Sequence, residues 1–144
     1  MKKTLLSIFV AALAFAASVH ADNPYKHYTA NLPFKMPEVK APVFPERDVN
    51  LKDFGAVGDG KTLCTEAFAK AIDNLSGKGG GRLVVPRGIW HTGPIVLKSN
   101  INQQIEKGAV ILFAADESLY PLISTSFEGL ETRRCQSPLS ANGA

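Results

Sequence analysis

Three groups of residues in this 144-residue chain have types and spacings that could support chemistry. Gly55 to Thr62 reads Gly-Ala-Val-Gly-Asp-Gly-Lys-Thr and satisfies G-x-x-x-x-G-K-[ST] in full. In a nucleotide-binding protein this pattern cradles phosphates in backbone N–H groups, with Lys61 reaching the terminal phosphate and Thr62 holding a metal. Asp116 and Glu117 form the only adjacent acidic pair and follow the apolar run Val110 to Phe113, imitating a magnesium-binding strand end. His91 stands beside Trp90, the make-up of a sugar-stacking platform.

Each group also has a plainer reading. The glycine run is a turn with a solvated lysine. Asp116 and Glu117 point to opposite sides of an extended chain. Trp90 is a core residue and His91 a strand edge, given their apolar neighbours. Asp53 and Asp59 read as turn-formers whose side chains bond nearby backbone amides. Cys64 and Cys135 are either a disulfide closing a long loop, contributing about 2–4 kcal/mol, or two free thiols. Beyond the leader described next, the only histidines are His27 and His91, with no Cys/His spacing of a zinc site, so neither a metal nor a cofactor is expected.

Lys2 and Lys3, the apolar run Leu5 to Ala17, and Val19-His20-Ala21 make residues 1–21 a secretory signal. The run is short for a bilayer core, which needs about 20 residues. The protein is therefore expected to be exported, to the periplasm or the extracellular space. Cleavage would remove two lysines and lower the formal charge of +3 by two, which leaves nothing to draw nucleic acid or an anionic membrane. An apolar content of 45% is ordinary for one globular domain.

The elements that must position these groups follow from periodicity. Residues 22–47 contain Pro24, Pro33, Pro37, Pro42 and Pro45 and read as an extended lead-in. Val49 to Leu51 reads as a short half-buried strand, followed by the glycine turn. Phe68, Ala71, Ile72 and Leu75 fall at i, i+3, i+4 and i+7, which predicts one amphipathic helix over 65–76, capped by Thr62 or Thr65 and ended at Gly77 to Gly81. No second helix is expected. Leu83 to Val85, Ile89-Trp90, Ile95 to Leu97, Ile101 to Ile105 and Val110 to Phe113 are short apolar runs with turn signals between them. They are too few and too continuously apolar for a sandwich, so stacked coils of a β-solenoid fit better, with the helix covering the first coil.

In this order the features resemble the amino-terminal cap and first coils of the pectinase superfamily, most closely the polygalacturonases of glycoside hydrolase family 28. The residues that carry the resemblance are Asp53 to Thr62, Thr65-Glu66-Ala67-Phe68, Gly79-Gly80-Gly81 before Val84-Val85-Pro86, Gly93-Pro94-Ile95, Leu97 to Asn100, and Glu106 to Ala109. Gln103, Gln104, Leu63 and Cys64 depart from the family pattern. The resemblance implies an all-β, right-handed parallel β-helix over 48–144 with an N-terminal capping helix. It also implies a secreted hydrolase whose partner is pectic polysaccharide, galacturonan or rhamnogalacturonan. The family's Asn-x-Asp, Asp-Asp, Gly-His-Gly and Arg-x-Lys motifs do not occur between Asp22 and Ala144. Catalytic residues are therefore expected beyond Ala144, and the chain itself, as an amino-terminal fragment, is expected to be inactive. The alternatives are a non-catalytic polysaccharide-binding β-helix module and the nucleotide-binding reading of Gly55 to Thr62.

Overall fold

A computed structural model describes residues 25–37 and 39–141. The proposed secretory signal, together with Asp22 and Glu38, lies outside the described residues. The chain divides into two units, Met1–Pro42 and Val43–Ala144.

In the first unit, α1 (Lys26–Thr29) is a single helical turn within the lead-in, where proline content alone predicts extended chain. The stretch between Pro24 and Pro33 is free of proline, so amides are available. The Tyr28 amide bonds the Tyr25 carbonyl at 3.0 Å, and the Thr29 hydroxyl donates to the Lys26 carbonyl at 3.2 Å. Ala30 then turns extended and Asn31 takes φ 60, which ends the helix after one turn.

The second unit opens with β1 (Asp48–Asn50), but Leu51, expected on that strand, starts a 3₁₀ turn, Leu51–Phe54. The Asn50 side chain accepts from the Lys52 amide at 3.0 Å, which bends the chain one residue early and drives Leu51 fully inside. Then follow α2 (Thr65–Ser76), β2 (Gly81–Val85), β3 (Gly88–Thr92), β4 (Ile95–Leu97), β5 (Ile101–Ile105) and β6 (Ala109–Phe113). Beyond these lie a second 3₁₀ turn, Glu117–Leu119, and β7 (Leu122–Phe127), β8 (Leu130–Cys135) and β9 (Leu139–Ala141).

The strands stack as a right-handed parallel β-helix. One face is the parallel sheet β1-β2-β5, a second pairs β3 with β6, and a third pairs β4 with β9. Parallel register keeps like faces together. Buried Leu83 lies opposite Gln103, Trp90 opposite Ile111 and Ile95 opposite Leu139, so inward side chains line up coil on coil. Gln103 therefore sits on the inward side and Gln104 on the outer side beside Val84, which is the structural meaning of that departure from the family pattern. The core comprises Leu51, Phe68, Ile72, Leu75, Leu83, Val85, Trp90 and Ile95, all essentially without solvent contact.

Helix α2 has the expected bounds and lays Phe68, Ala71, Ile72 and Leu75 over β1, β2, β4 and β5. Each such large side chain removed from water stabilises by about 1.5–3 kcal/mol, which explains why a helix with no side-chain N-cap still forms. Neither expected cap acts. Cys64 holds the cap position, the Thr62 hydroxyl turns to Asp59, and the Thr65 hydroxyl accepts from the Gly93 amide at 2.7 Å. That last bond ties the helix start to the corner before β4. At the other end the Gly80 amide returns to the Leu75 carbonyl at 2.9 Å and Gly79 takes φ 87, so the chain leaves through a left-handed turn.

The pair β7/β8 is an addition that the apolar runs do not predict. It is an antiparallel hairpin, Leu122 opposite Cys135 through to Phe127 opposite Leu130, closed by Glu128 and Gly129 at φ 50 and 84. Positive φ at both loop residues is the two-residue hairpin turn whose twist matches its strands. The hairpin sits between β6 and β9, where the preceding coil passes from β3 to β4 through Gly93 and Pro94 alone.

Candidate functional site

The Gly55 to Thr62 loop is closed on itself. Asp59 accepts the Lys61 and Thr62 amides at 2.8 Å each on one carboxylate oxygen and the Thr62 hydroxyl at 2.8 Å on the other. These are the donors and the metal-binding hydroxyl that a phosphate loop would offer a nucleotide, and they are already satisfied. The Gly60 amide is also engaged, by the Ile89 carbonyl at 2.8 Å. In addition, α2 starts only at Thr65, so Lys61 and Thr62 precede the helix instead of opening it. The turn-former reading of Asp59 describes this geometry, and the loop serves to bridge onto β3.

Those bonds lower the Asp59 carboxyl from its ordinary 3.8 to about 2, the Thr62 amide contributing most. A depressed folded-state value stabilises fully above the unfolded one. That contribution disappears as pH falls from about 4 to about 2. Asp48, held down by the Arg82 guanidinium, and Asp116, held down by Ser118, act in the same direction. Urea midpoints measured from pH 5 to pH 2 are expected to fall across this window, and Asp59→Ala to flatten part of the fall. An unchanged slope in the variant would show that the turn is indifferent to the charge.

Trp90 is fully buried and its indole N–H donates to the Pro86 carbonyl at 2.7 Å, so it presents no stacking face to a sugar. Beside it, His91 Nδ1 lies 3.1 Å from the Lys61 carbonyl oxygen, and its own carbonyl accepts the Cys64 amide at 2.8 Å. Both contacts bind the glycine loop to β3. The Asp116 side chain accepts the Ser118 amide and hydroxyl at 2.9 and 2.7 Å and starts the 3₁₀ turn, while Glu117 is exposed. Cys64 and Cys135 are separate free thiols. Cys64 is buried, donating toward the Thr62 and Val57 carbonyls at 3.3 and 3.4 Å, and Cys135 is exposed on β8.

Hydrolysis by a carboxyl pair needs one acid that keeps its proton near neutrality. Asp48, Asp59 and Asp116 are held below the usual carboxylate range by their hydrogen bonds, which suits anchors and not proton donors at these three positions. No group of three or more His, Cys, Asp and Glu among the described residues is placed to hold a metal ion. Nor is any helix among them long and apolar enough to cross a membrane.

Open hollows among the described residues include three of about 430–530 Å³ and a smaller one of about 270 Å³ bordered by Phe54, Leu63, Glu66 and Lys70. One, about 530 Å³, is lined by Phe44, Glu46, Asp48, Arg82 and Asn102, with Arg82 committed to Asp48 by two guanidinium–carboxylate bonds. A second, about 430 Å³, lies at the hairpin base between Phe113, Glu117, Tyr120, Cys135 and Gln136. The third, about 530 Å³, borders Ser124, Ser126, Glu131 and Arg133 on the hairpin itself. Sequence reasoning missed the last two because it missed the hairpin. The signal was Gly129 after Glu128, flanked by the alternating Ile123, Thr125, Phe127 and Leu130, Thr132, Arg134.

No protein-family model matches the chain. The structure of a hyperthermoactive exopolygalacturonase from Thermotoga maritima matches 72% of it at 48% identity with a TM-score of 0.67. The chain is polygalacturonase-like in sequence and in fold. A family 28 exopolygalacturonase from Yersinia enterocolitica matches 67% of this polygalacturonase-like chain at 34% identity with a TM-score of 0.62. A probable polygalacturonase from Vitis vinifera is 44% identical over 77 residues, 51% of the chain. The chain spans only 23%, 17% and 16% of these three proteins respectively. Polygalacturonases are glycoside hydrolases.

Proposed function

We propose that this chain is the exported front part of a polygalacturonase-like glycoside hydrolase acting on pectic polysaccharide, galacturonan or rhamnogalacturonan. Residues 1–21 serve as the signal, 22–47 as the lead-in, and 48–144 as the cap and first coils. The observation that carries this reading is the 48% identity to the Thermotoga maritima exopolygalacturonase over 72% of the chain, with a TM-score of 0.67.

In this reading the coils built from β1 to β6 supply a rigid start to the solenoid, and the chemistry belongs to coils further along. Inverting hydrolysis places a protonated carboxyl against the leaving oxygen and a carboxylate behind a water, about 6.5–9.5 Å apart. Stacked coils can hold such a separation. The 144 residues alone are expected to carry out no hydrolysis, because the family's Asn-x-Asp, Asp-Asp, Gly-His-Gly and Arg-x-Lys motifs do not occur between Asp22 and Ala144.

The test has two arms. Sequencing the source DNA past the codon for Ala144 is expected to reveal, in frame, further coils with Asn-x-Asp, Asp-Asp, Gly-His-Gly and Arg-x-Lys. The protein encoded by that longer frame is expected to release reducing ends from polygalacturonate. A stop codon with no such motifs in any frame would withdraw the hydrolase reading. Retention of the 144-residue chain on immobilised polygalacturonate would then favour a binding module.

A further inference from the structure

We infer that the inserted hairpin carries a carboxylate-binding subsite centred on Arg133, where one uronate unit of an anionic polysaccharide is held. The identity of the sugar rests on the pectic reading above; the subsite rests on the hairpin's own geometry. Alternation divides the side chains of β7 and β8 between two faces. Ile123, Thr125, Phe127, Leu130, Thr132 and Arg134 share one face, on which the Arg134 guanidinium lies 5.0 Å from the centre of the Phe127 ring. That arginine is engaged by its own hairpin.

The opposite face is polar along most of its length. Arg133 lies across from Ser124 and Glu131 across from Ser126, beside the hollow of about 530 Å³. Arg133 is exposed, and its guanidinium makes no hydrogen bond or ion pair among the described residues. A guanidinium is a planar fork of donors that meets a carboxylate through two parallel bonds, and hydroxyls beside it are suited to sugar hydroxyls. Glu131, two residues along the same face, repels an anion and confines it to the side of Arg133 nearer the base. There Cys135, next on that face, borders the second hollow with Tyr120 and Gln136. A continuous antiparallel ladder with a two-residue turn holds these groups in fixed register, where a loop would let them drift.

Calorimetric titration of the 144-residue chain with trigalacturonate tests the subsite. Arg133→Gln is expected to weaken binding about tenfold or more, the worth of one charge-assisted pair. Arg133→Lys, which keeps the charge and loses the fork, is expected to fall between the glutamine variant and wild type. Arg134→Gln removes the same charge from the other face and is expected to change affinity less than about twofold. Fully methyl-esterified trigalacturonate, which has no carboxylate, is expected to bind wild type and Arg133→Gln alike. Dispersed amide spectra of both glutamine variants, matching wild type outside the hairpin, establish that they are folded. Equal losses in the two glutamine variants would reduce the effect to diffuse charge and overturn the subsite. So would undiminished binding by Arg133→Gln, or no trigalacturonate binding by wild type. The pectic reading stands or falls separately on the coding-sequence experiment.

Discussion

Gly80→Ala is expected to destabilise the second unit by about 3 kcal/mol or more, visible as a fall of roughly 10–20 °C in Tm. Gly80 is buried at φ 111, and a Cβ there would stand 2.4 Å from the Asn100 Cβ and 2.5 Å from the Asn100 carbonyl oxygen. The obstacle is largely backbone, and it cannot withdraw. The Gly80 amide is bonded to the Leu75 carbonyl at 2.9 Å, and its carbonyl accepts Arg47 Nη1 at 2.8 Å. The Asn100 carbonyl accepts the neighbouring Gly81 amide at 2.9 Å. The substitution thus combines left-handed strain with a collision between the end of α2 and the corner entering β5. Gly79→Ala is the matched control. Its φ is 87 but nothing lies within 4 Å of the added carbon, so only the conformational cost of about 1–2 kcal/mol applies. Thermal melts of the two variants side by side decide the matter, and equal losses would refute the steric account.

Trp90→Ala is expected to cost about 3–5 kcal/mol, a large share of the roughly 5–15 kcal/mol that stabilises an ordinary domain. The indole fills the interior of the first full coil, and a Cβ on Gly58 would meet its ring at 3.1 Å, so the glycine loop is moulded to it. Removing the ring leaves a cavity beneath that loop and frees the Pro86 carbonyl from its 2.7 Å bond. Trp90→Phe keeps part of the volume and is expected to lose about half as much. Trp90 is the chain's only tryptophan, so urea unfolding of these variants is followed by circular dichroism. A variant that melted like wild type yet lost affinity for trigalacturonate would restore Trp90 to the role of a sugar platform.

Much of the fold is legible because it is written in local periodicity. The 3.6-residue spacing of Phe68, Ile72 and Leu75 sets one face of α2, and the glycine run that follows admits the left-handed exit. Short apolar runs between glycines, prolines and asparagines mark β2 to β6 within a residue or two. The misses share a cause. Leu51 reads as strand because apolar alternation does not register the Asn50 side chain pulling the Lys52 amide into a turn. Thr62 and Thr65 read as caps because either hydroxyl is chemically able, and the choice went to partners distant in sequence or across the loop, Gly93 and Asp59. The hairpin escapes notice because Glu-Gly is a weak turn signal, and its strands, exposed on both faces, lack a buried stripe.

The sequence by itself determined the apolar core, the single capping helix, the succession of short strands and the resemblance to polygalacturonases, because each depends on residues close together along the chain. Only the tertiary structure decided what the chemically suggestive groups do. The phosphate-loop pattern became a closed turn once Asp59 folded onto Lys61 and Thr62 and Gly60 bridged to Ile89. Trp90 became core once a second coil covered it, and Cys64 and Cys135 remained separate thiols. Arg133 was set apart from Arg134 once both fell within strand β8, whose pleat sends neighbours to opposite faces. A hydrogen bond or an ion pair is made by whichever partner the fold brings within about 3 Å, and chain order does not specify that partner.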